Sequence, residues 1–120
     1  MEAKRENLNV VIEGMEVVIE RDLKRHELIL SQARKDYSKF REAVSYEIRK
    51  KRHYSELIRQ GKYQRKAMET AINDINVNIR NMQDKAGLSE QKIKFEENIV
   101  ETLTRQLEDQ KKSLKLLNKN

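Results

Sequence analysis

The chain reads as all-α, two long helices forming an antiparallel coiled-coil hairpin. Three observations predict that class. Apolar residues recur at steps of three and four through two long stretches, the spacing that keeps one helix face against a partner. Proline is absent and glycine occurs three times in 120 residues, which suits long helices and not a sheet with many turns. A basic segment around Gly61, near the midpoint of the chain, separates the two stretches.

The first helix is expected over residues 3–58. Its stripe runs through Leu8, Ile12, Met15, Ile19, Leu23, His26, Leu30, Ala33, Tyr37, Phe40, Val44 and Ile48. The paired steps of four at Ile19–Leu23 and Val44–Ile48 read as stutters that relax the supercoil locally. Gly14 lies off the stripe and costs about 1 kcal/mol relative to alanine. A turn is expected at 59–62 and a second helix at 63–118, the whole chain forming one domain.

The second helix shows a strict heptad. One seam position is Ile72, Ile79, Ala86, Ile93, Val100, Leu107 and Leu114; the other is Met68, Ile75, Met82, Ser89, Glu96, Leu103, Gln110 and Leu117. Gly87 and Ser89 look locally like a helix stop and start, so a three-helix arrangement with a break at 84–89 is the alternative. The heptad crosses that segment without a phase change, and Lys92 stands where a capping box needs Glu or Gln. Folding at Gly61 therefore has the stronger support. Residue numbers that face each other should then sum to about 121–122, which sets Ala33 near Ala86, Val44 near Ile79, Leu8 near Leu114 and His26 near Glu96.

Composition narrows the function. Charged residues make up 38% of the chain and aromatics 5%. Without cysteine there is no disulfide or thiolate metal site, a composition that fits the cytoplasm. No apolar stretch is long enough for a transmembrane segment, and the charged N-terminus leads into no secretion-signal core. The two histidines, His26 and His53, are far apart, and no second histidine follows at i+4 to build a metal site. Carboxylates such as Glu96-Glu97 and Glu108-Asp109 are adjacent along the chain and do not converge in a pocket. No phosphate loop or nucleophile motif occurs, so the reading is a non-enzymatic protein with no cofactor.

The charge distribution supplies the candidate site. Residues 49–66 hold eight Lys and Arg against one acid, Glu56, a net +7; the remainder has 18 basic and 19 acidic residues, a net −1. Arg49, Lys50, Lys51, Arg52, Arg59, Lys62, Arg65 and Lys66, with Tyr54 and Tyr63 interleaved, are the candidate partner-binding residues at the bend. Such a run is often only a solvated helix surface. Its concentration, and the apolar groups Leu57 and Ile58 beside it, favour a surface for an acidic protein, a nucleic-acid backbone or an anionic membrane.

The split at Gly61, with Phe40, Tyr46 and Tyr54 before it and Met68, Ile72 and Ile75 after it, resembles the FliJ/YscO family, the coiled-coil stalk proteins of type III secretion and flagellar export. The resemblance covers most of the chain as a pattern and carries over no functional residue. It implies a cytoplasmic stalk, adaptor or escort in a bacterial protein-secretion assembly, contacting a hexameric export ATPase and secretion chaperones. The alternative is a helical nucleic-acid-binding protein that uses segment 49–66. The nearly neutral remainder argues against that, because it offers no extended basic track.

Overall fold

The computed structural model describes residues 2–61 and 64–118, and they form a helical hairpin. Helix α1 spans Glu2–Gln60 and α2 spans Arg65–Asn118. Both are rich in Glu and Lys, with Arg frequent in α1 and Leu in α2, residues that lose little rotamer freedom in a helix. Helix α1 runs two residues further than the sequence suggests, and α2 starts two residues later.

The stop of α1 is built on Gly61. Its φ of 67° lies in the left-handed region, which glycine enters without a Cβ penalty. Its N–H donates to the Ile58 carbonyl at 3.0 Å, closing the last turn. Helix α2 opens with Met68 N–H donating to the Gln64 carbonyl at 3.2 Å. No break occurs at 84–89: α2 is continuous there, and Gly87 is an ordinary helical residue. The three-helix alternative is therefore overturned. Neither Gly87 nor Ser89 could stop a helix whose seam continues on both sides.

The chain packs as two units. Met1–Ser31 with Ile93–Asn120 form the terminal unit, and Gln32–Lys92 form the turn unit. In the turn unit Ala33, Ile75 and Ala86 are buried, so the small seam residues of both helices lie inside, as the pairing predicts. In the terminal unit Leu30 is buried together with one charged residue, Glu96. His26 Nδ1 lies 2.6 Å from Glu96 Oε2, the expected partner. At that distance the ring nitrogen and the carboxylate oxygen share a hydrogen bond.

Every residue of the expected α2 seam is buried or half-buried. Helix α1 departs from its expected seam at the N-terminal end. Leu8 and Met15 are exposed, while Asn9 and Glu16 are half-buried in their place. The shielded residues include the series Asn9, Ile12, Glu16, Ile19, Leu23, His26, Leu30, Ala33, Tyr37, Phe40, Val44 and Glu47. Up to Val44 these alternate steps of three and four, with Glu16 and not Met15 before Ile19, so the stutter expected at Ile19–Leu23 is absent; after Val44 both Glu47 and Ile48 are half-buried. The stripe keeps its phase and accepts polar residues. At Ile48, also half-buried, the apolar neighbour sits beside Glu47.

That choice leaves a chemical trace. Asn9 Oδ1, Glu16 Oε1 and Glu47 Oε2 are buried oxygens without a hydrogen-bond partner, and all three belong to polar seam residues. Asn9 Nδ2 does donate to Asn118 Oδ1 at 3.2 Å. Those two numbers sum to 127, five more than His26 and Glu96, so Asn9 and not Leu8 reaches across to α2.

Candidate interaction surface in the basic segment

The end of α1 and the start of α2 carry the basic residues because both helices run through the segment with little else in it. Helical spacing then distributes the charge. Arg49 and Arg52 are exposed, and Lys50, Lys51 and Tyr54 are half-buried. Arg59 precedes the turn, and Arg65 and Lys66 open α2; all three are exposed. Lys62 and Tyr63 lie outside the described residues.

Several of these cations are already engaged. Lys50 Nζ lies 3.7 Å from Glu47 Oε1 and 5.4 Å from the centre of the Tyr46 ring. Arg59 Nε donates to Glu56 Oε2 at 3.0 Å, and Gln60 Nε2 donates to Glu56 Oε1 at 3.1 Å. The Arg59 hydrogen bond, followed by that of Gln60, holds the Glu56 carboxyl below its ordinary value, and Glu56 in turn raises the Arg59 guanidinium. Arg65 Nε donates to Glu69 Oε1 at 2.9 Å. Arg49, Lys51, Arg52 and Lys66 form no ion pair with a described residue.

The partners Glu47 and Glu69 stand just outside 49–66, so a charge count over that window overlooks them. Their spacing of three and four from Lys50 and Arg65 is the signal that finds them. The segment is thus less bare than its +7 suggests, and its free charge narrows to four side chains among the described residues.

Two of the four line a groove. Ile48, Lys51, Arg52, Ser55, Glu56 and Arg59 follow one face of α1, and Asn76 and Ile79 of α2 complete the lining. Ile48 and Ile79 give it an apolar element, and Lys51 and Arg52 give it free positive charge. Arg49 and Lys66 do not line it. Near the turn, α2 has no acidic residue in its first turn and opens instead on Arg65 and Lys66. Its unsatisfied N–H groups and positive dipole end therefore add to the same sign of potential. Tyr54 lies against His53, with ring centres 5.9 Å apart.

This arrangement can attract and seat an anionic surface. No group of three or more His, Asp or Glu among the described residues is placed to hold a metal ion, and no helix is long and apolar enough to cross a membrane. No family model, curated protein or solved structure matches this chain.

Proposed function

We propose that this protein is a non-enzymatic interaction protein, a helical hairpin that docks an acidic protein surface through its basic segment. The observation that carries the reading is the groove of Ile48 and Ile79 flanked by Lys51 and Arg52, whose charges have no internal partner among the described residues. Free cations beside apolar groups steer an acidic partner and then bury some of its apolar surface. The pattern-level resemblance to FliJ/YscO stalk proteins supports a narrower version: a cytoplasmic stalk, adaptor or escort that contacts a hexameric export ATPase and secretion chaperones.

The test is binding to a purified type III export ATPase hexamer, with DNA and RNA as parallel probes. The Lys51→Glu/Arg52→Glu variant should lose at least about tenfold in affinity for the ATPase, the effect of about 1.4 kcal/mol. Equal binding by wild type and variant removes the groove from the account. Salt-sensitive binding to nucleic acid, with none to the ATPase, would replace it with the nucleic-acid reading.

A further inference from the structure

The polar seam of α1 has a second consequence. By running through Asn9 and Glu16, it turns Leu8, Val11, Met15 and Val18 outward. These four are themselves spaced three, four and three, a complete apolar stripe outside the seam; all are about half exposed or more, Val11 at 57%. Val11, Met15 and Val18 border α2 at Gln106 and Gln110. From Gln106 the same flank of α2 continues at helical steps to Thr102, Ile99 and Phe95, and Phe95 is 63% exposed. All of these residues belong to the terminal unit.

The lining of this face contains no charged side chain, although 38% of the chain is charged. Two nearby charge pairs close internally, Arg25 with Asp22 at 3.9 Å, where the stripe on α1 ends, and Arg105 with Glu101 at 3.0 Å on α2, and Asp109 bounds the face one step beyond Gln106. An isologous pairing sets a surface against itself about a two-fold axis, so like charges meet like. A face without charge is suited to that pairing. A partner selected by charge has nothing here to recognise.

The total surface leaves room for such an interface. The chain exposes 9548 Å². A folded monomer of 14.3 kDa exposes about 6,800 Å² by the usual size scaling. The excess is well above the roughly 800 Å² that each partner buries in a standard interface.

We infer that the uncharged face of the terminal unit binds a second copy of this chain, pairing two hairpins into a four-helix assembly. This rests on the α1 register and not on the basic groove, so it stands or falls separately from the function proposed above.

Sedimentation equilibrium and light scattering test it. At about 100 μM the wild type should show twice the chain mass. Met15→Glu/Val18→Glu should return it to the single-chain mass with helical circular dichroism intact, while Lys51→Glu/Arg52→Glu should leave it doubled. A wild type of single-chain mass overturns the inference, and so does a Met15→Glu/Val18→Glu variant that stays doubled. Should that variant lose helix, alkylation decides. The chain has no cysteine, so Met15→Cys and Leu28→Cys each report one place. Alkylation of Met15→Cys should slow as concentration rises, while that of Leu28→Cys should not. Unchanged rates at both positions reject the pairing.

Discussion

The two units invert one another. The turn unit has 15 basic and 8 acidic residues, a net +7, and only Tyr46, Val77 and Leu88 among its described large apolar side chains are exposed. The terminal unit has 11 basic and 12 acidic residues, a net −1, and nine large apolar side chains are exposed among those described. Inside, the pattern reverses. The turn unit buries Ala33, Ile75 and Ala86, whereas the terminal unit holds a His–Glu pair in its seam. One unit carries its polarity mainly on the surface and the other carries some of it inside. The contrast separates a charged surface from an uncharged one.

The sharpest way to break the contrast is in the turn unit's core. Ile75→Ala should cost about 2–3 kcal/mol, because three buried side-chain carbons are lost and leave a void. Val77→Ala, on the exposed side of the same helix, should cost less than about 0.5 kcal/mol. Urea melts followed at 222 nm measure both. Equal costs would mean that the seam does not carry the stability.

In the terminal unit the polar pair is the next lever. His26→Leu should destabilise by about 1–3 kcal/mol, since it strands the buried Glu96 carboxylate. His26→Leu/Glu96→Leu should recover most of that loss, because an apolar pair of similar volume needs no hydrogen bond. A double variant as unstable as the single one would show that the pair itself supplies the stability.

A smaller effect runs in the favourable direction. Glu16→Leu should stabilise by about 1 kcal/mol, by removing a buried oxygen without a partner from the seam. The corresponding change at an outward polar site, Glu13→Leu, should do little. The smallest effect belongs to the turn. Glu56 has a lowered folded pKa, so its contribution is present above the ordinary carboxylate value of 4.5 and disappears as pH falls through the folded value. Glu56→Gln should remove that acid limb from the local amide-exchange rates at 56–60 and leave the global melt unchanged.

Much of this was legible in the sequence, and the exceptions have physical causes. The α2 heptad is readable because apolar residues occupy nearly all of it and few others nearby compete. Gly87 misleads as a local stop only until the register on either side is counted. The His26–Glu96 contact follows from two polar residues at seam positions and a fold at Gly61. The N-terminal part of α1 is different. Leu8, Val10, Val11, Ile12, Met15, Val17, Val18 and Ile19 surround the helix, so apolarity no longer marks a face. Phase is then set by continuity with the rest of the seam, and Asn9 and Glu16 are drawn into it. In the basic segment, charge density is visible, but the pairing that engages Lys50 and Arg65 depends on acids beyond the window.

Helix α1 keeps its heptad through polar residues and turns an apolar stripe outward. Alkylation rates of two single-cysteine variants, Met15→Cys and Glu16→Cys, test it most directly. At high dilution, where copies are apart, Met15→Cys should react fast and Glu16→Cys slowly; as concentration rises, only Met15→Cys should slow. A fast Glu16→Cys beside a slow Met15→Cys at high dilution would put the apolar residue in the seam and contradict the account.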